Sequence, residues 1–185
     1  MPGVDLILLT DSATIDKVND LIATGTTAQI ADPAFMRELK HWMRFNPRRA
    51  MTTGDGLFSG TSGNPTLPDW LGPIMLDWAY TAASENRKIA AQIASSAGLA
   101  VFVGARDDAE HWVRVGRASQ RFALQATAMG LKHAFLNQPV EVASLRPDLA
   151  RLVGLPGRRP DLVMRFGRGA AMPFSPRRPV DEVIL

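Results

Sequence analysis

The C-terminal stretch "MPFSPRRPVDEVIL" places two arginines, Arg177 and Arg178, between two prolines, Pro176 and Pro179. A guanidinium is a planar fork that pairs bidentately with phosphate or carboxylate, and flanking prolines restrict the backbone that carries it. The chemistry this points to is the holding of an anion. The chain has 17 arginines and only 4 lysines, a formal net charge of +3 and a pI near 9.8. Eight of the arginines (Arg146, Arg151, Arg158, Arg159, Arg165, Arg168, Arg177, Arg178) fall between positions 146 and 178 against two acids, Asp148 and Asp161. For most of these eight, a solvated basic face is the simpler reading. Nucleic acid is not expected as a partner, because Tyr80 is the single tyrosine and no aromatics interleave with the arginines as stacking platforms.

Other chemistries find little support. Cysteine is absent, which removes thiolate metal sites, disulfides and a Cys nucleophile, so redox chemistry would have to come from a bound cofactor. His41, His111 and His133 lie far apart and lack metal-ligand spacing. Neither a G-x-S-x-G nor a P-loop pattern occurs. "RFGRGA" follows a strand-like run, but the third glycine of a dinucleotide fingerprint is missing and "MPFSP" stands where a helix would have to open.

The elements that must position these residues can be read from periodicity and breakers. "VDLILLT" is a continuous apolar run expected to form a buried strand, followed by a helix from Asp11 or Ser12 to about Thr24, which "TGTTAQIADP" should end. Asp32 and Pro33 form a helix-start pair for a second helix carrying Phe35, Leu39, Trp42 and Met43. The Gly-, Pro-, Ser- and Thr-rich stretch from Asn46 to Gly72 reads as a lid or as irregular surface, with Phe58 and Trp70 as aromatic side chains that either stack on a ligand or simply pack. Short helices follow near Ile74–Ala83 and Ser84–Ser96, then a second buried strand, "GLAVFVGA". The longest helix should run from a cap at Asp107 or Asp108 to a stop at Gly130, with Trp112, Val115, Phe122, Ala126 and Met129 along one face. A helix started or interrupted at Pro147, a strand "DLVMRFG" and a last strand "VDEVIL" complete the pattern.

Taken together, "GRASQRFALQATAMGLKHAFLNQPVE", "LVMRFGRG" and "PRRPVDEVI" resemble the flavin-dependent nitroreductase family, most closely the C-terminal half of its fused-repeat, actinobacterial-type branch. "RELKHWMRF" and "DGL" also suit that branch. The resemblance runs from about Phe35 to the end and is better in the second half. It implies an α+β fold over residues 1–185, with a mixed central sheet flanked by helices, 46–72 as lid or loop, and 176–185 as a C-terminal arm whose strand is exchanged with a partner subunit. It further implies that FMN is the cofactor, that Phe135, Leu136, Asn137 and Gln138 lie along the flavin ring, and that Arg177, with Arg178, holds the phosphate. The family's N-terminal arginine- and serine-rich motif and the Asn-containing segment after it are not evident; Arg48 and Arg49 are the candidates to replace the former.

The implied function is an NAD(P)H oxidoreductase passing electrons to nitroaromatics, quinones or related acceptors, working as a homodimer. Two alternatives stand beside it: a protein that binds or sequesters flavin without turnover, and a half-domain that serves only as an interaction partner. No apolar run approaches the roughly 20 residues of a membrane span and the start lacks a secretory pattern, so a cytoplasmic location is expected.

Overall fold

The computed structural model describes residues 2–184. The chain divides into two compact units, one formed by the chain up to Ala31 together with Glu85–Gly169, the other by Asp32–Ser84 and the chain from Ala170.

The first unit is organised by strand β4 (Gly98–Gly104), every residue of which is buried. Such a run can only be central, because both of its faces must be covered. It lies in a four-stranded sheet of order β1-β4-β6-β5, with β1 at Val4–Leu9, β5 at Lys132–Phe135 and β6 at Pro160–Gly167. All three pairings are antiparallel. The α+β class expected from the sequence therefore stands, but the central sheet is not mixed. The parallel pairing sits instead in the second unit, between β2 (Met43–Arg44) and β3 (Leu57–Phe58).

Alternation along β4 divides the core in two. Leu99, Val101 and Val103 point to one face, where they pack with Val163, Leu136 and residues of four helices: α1 (Ser12–Ala31), α5 (Ala82–Ala94), α7 (Gln138–Glu141) and α8 (Arg146–Leu152). Ala100 and Phe102 point to the other, covered by α6 (Ala109–Ala128) through Val115, Ala118 and Phe122. Asp108 caps α6 by accepting the His111 N–H at 2.9 Å. Trp112 and Met129 lie on the predicted apolar stripe of this helix but are exposed, whereas Val115 and Ala126 are buried.

Strand β1 departs from expectation, because it is an edge strand rather than a buried one. Ile7 and Leu9 face the core, while Leu6 and Leu8 lie on the opposite face of the strand and are half exposed. Helix α1 also outruns its predicted end by seven residues, reaching Ala31 rather than Thr24. Within "TGTTAQ" the hydroxyls of Thr24 and Thr27 donate to the carbonyls of Asp20 and Ala23, four residues back, so the polar run is satisfied without leaving the helix.

In the second unit, α2 (Pro33–Trp42) starts as read, with Asp32 accepting the Ala34 N–H at 2.8 Å. The stretch 46–72 is more ordered than its composition suggests. Asn46 caps a helix, α3 (Pro47–Thr53), that ends on the left-handed Gly54, and α4 follows at Gly72–Ala79. Gly72 packs on Phe45 so closely that a Cβ there would lie 2.2 Å from the ring. Residues 180–182 form a single 3₁₀ turn where a final strand was expected. The proline at 179 has no N–H for a ladder, and Val180, Val183 and Ile184 stay exposed. Leu185 lies outside the described residues.

Candidate functional site

The segment 135–138 is placed by the end of α6. Gly130 takes the left-handed conformation (φ 71°), the Leu131 N–H donates to the Ala126 carbonyl at 2.8 Å, and the Gly130 N–H to that of Thr127 at 2.9 Å. This is a Schellman stop, and it turns the chain directly into β5. Phe135 pairs with Met164 across the β5–β6 ladder and its ring is exposed. Leu136 extends the ladder by donating to the Val163 carbonyl at 2.8 Å, and its side chain is buried in the core. At Asn137 the side chain takes over from the backbone, its Oδ1 accepting the Val163 N–H at 2.9 Å. The Asn137 carbonyl then receives the N–H groups of Val140 and Glu141, which starts α7.

Gln138 sits where α1 and α7 approach most closely. A Cβ on Gly25 would fall 2.8 Å from the Gln138 Cβ and 2.9 Å from its backbone carbon. The Gln138 Oε1 is buried with no hydrogen-bond partner among the described residues. An unsatisfied buried amide oxygen costs roughly 1–3 kcal/mol, which makes it a place where a donor would be welcome. Of the four predicted ring-facing residues, then, Phe135 and Gln138 keep free chemistry, whereas the side chains of Leu136 and Asn137 serve the fold.

Gly25 was not singled out in the sequence, although a glycine inside a long helix is a signal of close approach. We expect Gly25→Ala to lower stability by about 1 kcal/mol. The overlap costs roughly 1–3 kcal/mol and helix propensity returns about 1. Urea unfolding checks this, and a variant as stable as the parent would show that α7 yields without cost.

In the second unit, Arg177 and Arg178 lie on an extended run anchored by Ser175, whose Oγ accepts the Phe58 N–H at 3.0 Å. Both arginines are exposed. They differ in their surroundings. Arg178 passes Gly54, and its charge is one of the influences that hold the Asp55 carboxyl below the usual range, after the hydrogen bonds from Arg44 and Thr53. Arg44 itself pairs with Asp55 at 2.8 Å. Arg177 has no hydrogen-bond or ion-pair partner among the described residues. Arg48 and Arg49 are exposed on α3. Phe58 is buried and belongs to the packing, whereas Trp70 is exposed.

No family model matches the chain. Two curated proteins of Mycobacterium tuberculosis strains, each named "Putative NAD(P)H nitroreductase", are 25% identical to it over 182 residues, covering 96% of this chain and 51% of theirs. Among solved structures, the FMN-dependent nitroreductase NfnB from Mycobacterium smegmatis, crystallised in complex with NADPH, superposes with a TM-score of 0.59 over 99% of this chain and 78% of its own, at 10% identity. The fold is that of the nitroreductases. The resemblance read from the sequence thus leads to the right fold and to relatives named for it, and the chain spans about half the length of those curated relatives. In this nitroreductase fold the segment 135–138, expected to face the ring, falls in the first unit and the arginine pair in the second. What the sequence left unrecognised is the convergence of Arg106, Arg146, Arg158 and Arg159 on one cavity beside the end of β4; its trace was the arginine excess alone.

Proposed function

We propose that the chain binds FMN and works as a nitroreductase-type NAD(P)H oxidoreductase, with nitroaromatics, quinones or related small molecules as acceptors. The observation that carries this reading is the construction of 130–138. A helix stop and a short edge strand place one exposed aromatic ring and one buried, orphaned amide oxygen in the segment that, in the family, runs along the flavin. When bound, FMN supplies the two-electron chemistry, accepting a hydride from the reduced nicotinamide and returning the electrons to the acceptor. The protein's part is to bind and orient. Phe135 offers an apolar surface beside the ring, Gln138 offers Oε1 to a ring N–H, and Arg177 offers an unpaired fork to the phosphate.

The test is the absorbance of the purified protein. Yellow protein bleached by NAD(P)H under anaerobic conditions is the expected result. Yellow protein that NAD(P)H does not bleach would support flavin sequestration instead, and colourless protein that FMN does not reconstitute would overturn the flavin reading.

The same proposal includes a homodimer. Leu6 and Leu8 on the open edge strand, together with Val113 and Leu124 on α6, leave apolar side chains and unpaired backbone uncovered within the first unit. Burying such an edge against a second copy removes both liabilities. Light scattering after size exclusion should give a dimer mass at micromolar concentration; a folded monomer would refute the assembly. Among the described residues no helix is long and apolar enough to cross a membrane.

A further inference from the structure

Four arginines from three stretches of the chain, Arg106, Arg146 and the adjacent Arg158 and Arg159, line one cavity of about 620 Å³ within the first unit, with Asp107 the single acid in its lining. The cavity lies where β4 ends and β6 begins, and it shares no residue with the segment 135–138. Three of these arginines are held in place rather than left in solvent. Arg158 wraps the end of β4, donating from Nε and Nη2 to the Gly104 carbonyl at 3.1 and 2.6 Å and from Nη2 to Asp5 at 3.1 Å. Arg159 donates to Asp107 at 2.6 Å, lies 3.4 Å from Asp161, and stacks over the Trp112 ring at 5.3 Å. Arg146 gives its Nε to the Val140 carbonyl at 2.6 Å. These bonds fix the forks but do not use them up. Among the described residues the buried Nε of Arg159 has no hydrogen-bond partner and Arg146 has no carboxylate partner.

A solvated basic face does not look like this. Exposed arginines keep hydration and rotamer freedom, while here three guanidinium groups are partly desolvated and oriented toward a shared space, with donors left over. Like charges brought together in this way repel, and an anion between them relieves the repulsion. Size narrows the ligand class further. The cavity falls in the range of about 300–1,000 Å³ that takes small organic molecules, more than a bare oxyanion needs, and Ala143 and Pro147 give part of its wall an apolar character.

We propose that this cavity is a second, flavin-independent site for a soluble phosphate monoester: the arginine forks bind the phosphoryl group and the apolar wall takes the small organic body. The full chain is to be titrated calorimetrically with ribose 5-phosphate and with inorganic phosphate, in about 0.15 M NaCl so that loose attraction to the surface is screened. Ribose 5-phosphate is expected to bind with a Kd below about 1 mM and more tightly than inorganic phosphate. Arg146→Gln should weaken it by about tenfold or more, the loss of one charge-assisted contact. Arg106→Gln, on an exposed side chain that pairs with Asp108 at 3.3 Å and with Glu110 at 3.8 Å, should weaken it in the same direction but by less, and Arg177→Ala should leave it unchanged. Absence of binding at this salt, equal or tighter binding of inorganic phosphate, or binding lost in Arg177→Ala but kept in Arg146→Gln would each overturn the proposal. The last of these would place the anion with the C-terminal arginines instead.

Discussion

Replacing Phe102 by alanine is expected to cost about 3–5 kcal/mol of stability, the largest loss from any single truncation of the sheet. The side chain is fully buried in the middle of β4, on the face covered by α6. Its ring meets Phe122 edge to face at 5.7 Å between centroids, and Phe122 meets Phe166 in the same way at 5.7 Å. Truncation removes the end of that aromatic chain as well as the buried area, and each such ring pair adds roughly 0.5–1.5 kcal/mol beyond burial. Neighbours do not collapse easily into the space, because Ala100 and Met164 beside it are themselves closed in by the flanking strands. Set against a total stability of about 5–15 kcal/mol, the loss leaves a marginal protein. Urea denaturation should show a much lower midpoint with the slope little changed, and Phe102→Leu should recover most of the loss. A shift below about 1 kcal/mol for the alanine variant would mean that α6 does not close on this face as described.

The same residues show what was legible in the sequence. "GLAVFVG" reads as a strand covered on both sides and is one, whereas the similar run of β1 forms an edge, and Asp108, Gly130, Asp32 and Pro33 mark helix ends through local bonds. What escaped depended on partners distant in sequence. "TGTTAQ" looks like a turn until Gly25 is seen to be needed for the contact with Gln138. Strand β5 is four residues long and exists because β6 offers it an edge. The alternation in "VDEVIL" suits a strand only if something pairs with it, and in its place residues 180–182 close a 3₁₀ turn. For the candidate site, the sequence did not show which side chains the fold itself uses. Leu136 and Asn137, expected beside the flavin ring, have side chains taken by the core and by the Val163 N–H. Arg158 and Arg159, which composition assigns to a solvated face, turn out to be fixed by Gly104, Asp5, Asp107 and Asp161. Spacing carries no information about such a convergence, since the arginines reach the cavity from three stretches far apart in the chain: Arg106 after β4, Arg146 at the start of α8, and Arg158 with Arg159 before β6.

On the flavin-binding reading, Arg177→Ala should weaken FMN binding by about ten- to a hundredfold, the loss of one charge-assisted, bidentate contact to phosphate. The structure separates this residue from its neighbour. Arg178 lies close enough to Asp55 for its charge to act on that carboxylate, so part of its field is already spent within the protein, whereas Arg177 has no partner among the described residues to give up. A phosphate therefore gains more from Arg177, and Arg178→Ala should cost less. Pro176 and Pro179 limit the backbone freedom lost when the forks close on the ligand, which lets an exposed pair contribute more than two free side chains would. Because the contact is exposed, it should also be screened, with the difference between parent and variant shrinking as salt rises well above 0.15 M, where the Debye length falls below about 8 Å. Titrations of FMN followed by quenching of flavin fluorescence, at low and high salt, measure both quantities. An Arg177→Ala protein that is folded and binds FMN as tightly as the parent would remove this arginine from the site, and an equal loss in Arg178→Ala would show that the Asp55 field does not divide the pair.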